Sequence, residues 1–211
     1  MKVESSSRVL LLVGALAIAS YFLAFAAGGV RAYFTLDDGL NLTTHHNYWE
    51  YSLWETTASA LRVVTSAYRP LGGVFYLGIF RLAGFHPLPF RAVCLGLMLA
   101  NLFVAFRLVE RLSGSEEIAL LTALLLVYHP AITDLFYSTG TIYDILCFFF
   151  YCLALVAYAT WREQGQRLGA RHLAALLLLY ACSLDSKEMA VSLPLALLAL
   201  ELVYHPRAVK L

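Results

Sequence analysis

Long apolar runs alternate with short polar breaks along this chain, at a spacing that suits membrane-crossing helices. The first run, Val9 to Val30, is 22 residues without a charge. At about 1.5 Å of rise per residue it can cross about 30 Å of hydrocarbon. Further runs follow at Leu88 to Phe106, Ile118 to Thr133 and Thr141 to Trp161, with a turn at Ser113 to Glu117 whose serine and acids mark a helix start and a short loop from Asp134 to Gly140. Leu173 to Leu184 reaches span length only if it is joined to the chain from Leu168 onward, and Met189 to Tyr204 is the last run.

Between the first two runs lies a mixed stretch from Arg31 to Pro87. Within it, Tyr48 to Ala67 has Trp49, Leu53, Leu61 and Val64 at helical spacing and Glu50, Glu55 and Arg62 elsewhere on the wheel, the pattern of an amphipathic helix. Its Trp49, Tyr51 and Trp54 suit the headgroup level. Leu71 to Phe80 is apolar but too short to span, and reads as a helix at the interface or against the bundle. The pattern predicts an all-α polytopic integral membrane helical bundle. It has about six transmembrane helices, with amphipathic interfacial helices in a long first outer loop. Residues 1–211 form one transmembrane domain, and 31–87 form that loop.

Composition fits. Hydrophobic residues make up 61% of the chain and charged residues 14%, with mean hydropathy +0.72, against about 45–50% and about 25% in soluble domains. A net charge of +1 and the lack of a long basic tract give no footing for nucleic acid. The four cysteines, Cys94, Cys147, Cys152 and Cys182, all sit inside apolar runs without metal-type spacing, and read as small buried hydrophobes. The first run exceeds the core of a secretion signal, about 7–15 residues, and reads as an uncleaved helix.

Six crossings put both termini on one side, which then holds nine lysines and arginines against six on the other. That bias predicts a cytoplasmic N-terminus. The sorting brings Asp37, Asp38, Asp134, Asp185 and Glu188 to the outer side, with Asp144 just inside the membrane below them. Arg69 and Lys187 fall on the same side. A passive anchor has no need of charges at span mouths, so this convergence marks a functional site.

The pair Asp37-Asp38 follows directly on the first helix and reads either as a polar turn or as a general base for a hydroxyl group. Arg69, in Tyr-Arg-Pro-Leu, has the fork that suits phosphate oxygens. Asp144 needs a cation, with Arg69, Arg91 or Lys187 as candidates, and Arg91 must itself snorkel or pair. His45-His46 matches no strong zinc motif. No metal site and no cofactor is expected. Asn41-Leu42-Thr43 fits a glycosylation acceptor pattern.

Five stretches in order, Asp37-Asp38, Tyr68 to Leu71, Tyr128 to Ala131, Thr141 to Asp144 and Ser186 to Glu188, resemble the membrane-embedded type-C glycosyltransferases. The likeness is to the protein O-mannosyltransferase-like group, and within it to the membrane part of the tetratricopeptide-repeat mannosyltransferases. That group often carries Arg-x-Asp where this chain has Ile142-Tyr143-Asp144. The resemblance implies an active site on the extracytoplasmic face of a multi-pass protein of the plasma membrane or endoplasmic reticulum. It implies sugar transfer, with inversion, from a polyprenyl-phosphate donor to a hydroxyl acceptor on a protein, lipid or glycan. Asp37 or Asp38 would be the base, with Asp37 favoured, and Arg69 and Lys187 would bind the donor phosphate. Asp134, Asp144 and Glu188 would stand behind them. Members of this superfamily have more spans, so the 211 residues read as the N-terminal part of a larger fold.

Two rival readings stand. Arg91, Asp144 and Glu201 inside spans, with Pro194 breaking a helix, fit the polar pathway of a transporter or flippase. The short length fits a non-catalytic membrane subunit or a truncated paralogue.

Overall fold

Two proline starts and one glycine stop set the middle of the bundle. The computed structural model describes residues 2–43, 52, 54–55, 69–165 and 168–204. Helix α1 spans Lys2–Gly29 and α2 spans Leu36–Thr43. Helix α3, Pro70–Ala83, and helix α4, Pro87–Ser113, each begin on a proline, whose fixed φ and missing N–H suit a first turn. Gly114 closes α4 in the left-handed region at φ 67°, where glycine has no side chain to strain. Ser115 then caps α5, Glu116–Val127, its Oγ accepting from the Ile118 N–H, with Glu116 and Glu117 in the first turn. Those acids favour a helix start, as the sequence indicated.

The third apolar run is not one regular helix. At His129-Pro130 the chain turns through a 3-10 stretch, Pro130–Ile132, into α6, Thr133–Tyr137. The two parts bend by 62°. Proline removes one helical hydrogen bond, while His129 Nδ1 accepts from the Ala131 N–H at 3.1 Å and caps the new turn. Asp134 to Gly140, expected as a loop, is mostly helical: α6 is followed by a 3-10 turn, Thr139–Thr141, that leads into α7, Ile142–Glu163. Helix α8, Ala170–Leu184, a 3-10 turn, Glu188–Ser192, and α9, Leu193–Tyr204, complete the described chain.

Every regular element among the described residues is helical, and the chain is an all-α membrane helical bundle. Three helices are long and apolar enough to cross a membrane, at Arg8–Gly29, Pro87–Ser113 and Thr139–Glu163, or four with the bent pair. The sequence suggested about six. The difference lies in α8 and α9, which run 15 and 12 residues, less than the about 17–25 of a helical span. The amphipathic stretch at 48–67 and His45-His46 lie outside the described residues, apart from Ser52, Trp54 and Glu55.

The core gathers at one end of the bundle. Phe22, Tyr76, Leu77, Phe90, Cys94, Met98, Phe136, Tyr143 and Ile145 form one buried cluster there. Phe90 meets the rings of Phe34, Phe75 and Tyr76 with centroids 5.6 to 6.0 Å apart, within the range of favourable aromatic pairs. Helix α3 therefore packs on the bundle through Tyr76 and Leu77, both fully buried. Helix α1 closes on α6 at Gly29, where a Cβ would lie 2.1 Å from the Phe136 carbonyl oxygen.

Candidate active site

The acid pair is split by helix geometry. Asp37 and Asp38 occupy the first turn of α2, where successive side chains point about 100° apart. Asp38 turns inward and is fully buried, whereas Asp37 faces out. Thr35 and Asp38 cap one another: Asp38 Oδ2 accepts from the Thr35 N–H at 2.8 Å and Thr35 Oγ1 from the Asp38 N–H at 3.4 Å. This reciprocal arrangement is a capping box, legible as Thr-x-x-Asp in the sequence yet unread there.

The other oxygen of Asp38 organises a second segment. Its Oδ1 accepts from Thr139 Oγ1 at 2.7 Å, the Gly140 N–H at 2.8 Å and Ser138 Oγ at 3.2 Å. Arg91, from the first turns of α4, completes the shell with Nη2 at 3.1 Å from Oδ2 and at 2.9 Å from the Tyr33 carbonyl. Both side chains are essentially inaccessible, at 1% for Arg91 and 0% for Asp38. Asp38 thus holds the chain before α2, the 138–140 turn and α4 together. Asp37 is carried on the same helix, and a Cβ on Gly140 would lie 3.1 Å from Asp37 Cβ. The Asp37 carboxylate takes no hydrogen bond or ion pair from the described residues.

The remaining charges assemble around the 185–188 segment at this same end. The Leu71 N–H donates to the Asp185 carbonyl at 3.3 Å and sets the start of α3 beside that segment. Arg69 then grips Glu188 with both arms, at 2.8 to 3.2 Å. Lys187 Nζ meets Asp144 Oδ1 at 2.5 Å, so among the three cations weighed for Asp144 the partner is Lys187. Glu188 is held below the usual carboxylate range by its own backbone N–H and by Arg69. Burial raises Asp185 above its ordinary value. Asp134 is exposed on α6, and no hydrogen bond or ion pair joins it to the other candidates among the described residues.

Two sets of residues escaped the sequence reading of the site. Ser138, Thr139 and Gly140 offered only a polar cluster after an apolar run. Asn41 and Tyr143 link α2 to α7, with the Tyr143 hydroxyl donating to Asn41 Oδ1 at 2.8 Å. The Asn41 amide nitrogen is engaged too, donating to the Asp37 carbonyl at 2.8 Å, and Leu42 beside it is 1% exposed.

Below the Lys187–Asp144 pair opens a cavity of about 460 Å³, lined by Phe22, Met98, Phe136, Phe148, Tyr151 and Cys152 among others. Asn101 also lines it, donating to the Ile145 carbonyl at 2.9 Å. At the opposite end of the bundle, Arg111 pairs with Glu163 and Arg162 with Glu201, each at 2.5 to 2.6 Å, and Tyr158 donates to Glu201. Arg91, Asp144 and Glu201, which suggested a polar pathway, are each ion-paired.

The fold and its charged end define a multi-pass integral membrane protein with a polar site at the head of an apolar cavity. Residues 69–211 match the family of dolichyl-phosphate-mannose-protein mannosyltransferases. The match covers well over half of the chain, and the chain belongs to that family, a group of mannosyltransferase-type glycosyltransferases. It begins at Arg69 and so takes in Arg69, Asp134, Asp144, Lys187 and Glu188, but not the acid pair. No curated protein and no solved structure is similar enough to match.

Proposed function

We propose that this chain transfers a sugar from a polyprenyl-phosphate carrier to a hydroxyl acceptor on the extracytoplasmic face, with inversion at the anomeric carbon. The observation that carries this reading is the division of labour in the acid pair. Asp38 is buried and saturated, and Asp37, on the same rigid turn, is exposed, its carboxylate without a hydrogen bond or ion pair from the described residues. Asp37 is the base. It takes the proton of the acceptor hydroxyl as that oxygen attacks the anomeric carbon from the face opposite the phosphate. The bond from that carbon to the phosphate oxygen breaks, and the electron pair leaves with the polyprenyl phosphate.

Arg69 and Lys187 stabilise the charge on the leaving phosphate, a role suited to fixed cations at a partly dry site. Each now holds a carboxylate, Glu188 or Asp144, and the phosphate would displace it. Those carboxylates keep the cations aimed between turnovers. The apolar cavity beneath Lys187 has the lining to take the first part of the carrier's hydrocarbon tail. The acceptor is a protein hydroxyl, in keeping with the family description.

The test is Asp37→Asn in the full-length protein, assayed in membranes with a polyprenyl-phosphate mannose donor. Loss of a general base should lower turnover by about 10²–10⁴-fold. Turnover unchanged from wild type would remove Asp37 from the chemistry.

A further inference from the structure

We infer that Tyr143 and Asn41 are positioning residues that couple the helix carrying the base to the arginine proposed to bind the donor phosphate. The inference rests on the sugar-transfer reading above and assigns these two side chains a place in it.

Four contacts form one line. Asn41 Nδ2 donates to the Asp37 carbonyl at 2.8 Å. Asn41 Oδ1 accepts from the Tyr143 hydroxyl at 2.8 Å. The Tyr143 ring lies under Arg69, whose Cζ is 5.4 Å from the ring centroid, within reach of a cation–π attraction. Arg69 is held on its far side by Glu188. The direction of the line is fixed by chemistry. A carbonyl only accepts, so the Asn41 amide must turn its NH₂ toward Asp37 and its oxygen toward Tyr143, and the tyrosine must donate.

The tyrosine has little freedom to do otherwise. Tyr143 is 5% exposed, and a Cβ on Gly72 would come within 1.9 Å of its ring. The ring is pressed between α3 and α7 directly beside Arg69. One buried side chain thus sets both the backbone of Asp37, through Asn41, and the tilt of the guanidinium. Phenylalanine at this position would keep the ring and its hold on Arg69 but leave Asn41 Oδ1 without its donor. The two functions of Tyr143 are therefore separable by substitution.

The experiment compares the full-length wild type with Tyr143→Phe, Tyr143→Leu, Asn41→Ala and the double variant Tyr143→Phe/Asn41→Ala, measuring kcat and the donor KM. Tyr143→Phe should lower kcat by between about ten- and a hundredfold, the cost of a slightly misplaced reacting group, with the donor KM within about twofold. Tyr143→Leu should also raise the donor KM by about three- to tenfold, from the lost hold on Arg69. Asn41→Ala removes the contact to the Tyr143 hydroxyl and the one to the Asp37 carbonyl as well, so it should lower kcat at least as far as Tyr143→Phe, and the double variant should be no worse than Asn41→Ala, since the tyrosine hydroxyl reaches Asp37 only through Asn41. A general loss of packing would instead move kcat and KM together and add in the double variant. Additive losses, or a kcat for Tyr143→Phe equal to wild type, would overturn the inference while leaving sugar transfer standing. A wild-type protein without sugar transfer would overturn both.

Discussion

Arg91 Nη2 lies 3.1 Å from Asp38 Oδ2 with both side chains sealed from solvent. The carboxylate also accepts from four donors before α2 and in the 138–140 turn. Removing one member of a buried ion pair leaves the other uncompensated, at a cost of about 3–5 kcal/mol. Arg91→Leu should therefore lower the unfolding midpoint in detergent sharply. Replacing both members by apolar residues rescues many buried pairs. It should not do so here, because the Thr35 and Gly140 N–H groups and two hydroxyls would lose their acceptor. An Arg91→Met/Asp38→Leu protein as stable as wild type would show that the pair is dispensable.

The partnership explains what could and could not be read from the sequence. A charge at Arg91 near the start of an apolar run demands a partner on solvation grounds alone. Its identity depends on how a turn after α1 folds back against α4, which hydropathy does not encode. Asp144 behaved the same way: three cations were named, and packing of the 185–188 segment chose Lys187. Apolar runs gave the long helices well. They failed at Asp134 to Gly140, where seven residues are too few for a periodic signal. They also failed for α8 and α9, where apolar character outran helix length. The residues alone did not tell the two acids apart, and only the family resemblance favoured Asp37, because a string has no inside; one helical step of about 100° separates their surroundings.

The Lys187–Asp144 pair predicts unequal effects from its two members. Lys187 is 22% exposed and Asp144 46%, so their mutual attraction is largely screened and worth at most about 1 kcal/mol. Asp144→Asn should leave the unfolding midpoint nearly unchanged. If Lys187 binds the donor phosphate as proposed, Lys187→Met removes a charge-assisted contact worth about 1.5–3 kcal/mol and should raise the donor KM at least tenfold. Equal, small effects of both substitutions on KM would take Lys187 out of the phosphate site.

The cavity makes a prediction about chain length. Cys152 lines it and is 6% exposed, so Cys152→Trp should fill much of the space, with an overpacking cost of about 1–3 kcal/mol. If the carrier's tail lies there, the variant should lose more affinity for a long-chain polyprenyl-phosphate sugar than for a short-chain analogue. Binding of the two donors to purified protein measures this directly. A loss of the same size for both would place the tail elsewhere.

Two carboxylates three residues apart should respond to pH with opposite signs. Glu188 is held below its ordinary value by its own backbone N–H and by Arg69. Its contribution is present above the unfolded-state value near 4.5 and is lost as pH falls through the lower folded-state value. Asp185 is raised by burial. Its protonated form favours the fold, a contribution present below about 3.8 and lost as pH rises through the raised value. Glu188→Gln should therefore be less stable than wild type at neutral pH, and Asp185→Asn at least as stable, since its only described hydrogen bond to α3 is through the backbone carbonyl. Both differences should shrink toward zero in acid, where the wild-type carboxyls are neutral like their amide replacements. Unfolding midpoints from pH 3 to 8 follow all three proteins. Midpoints for Glu188→Gln and Asp185→Asn that leave wild type in the same direction would mean that the Arg69 grip, or the burial at Asp185, does not set the charge of this segment.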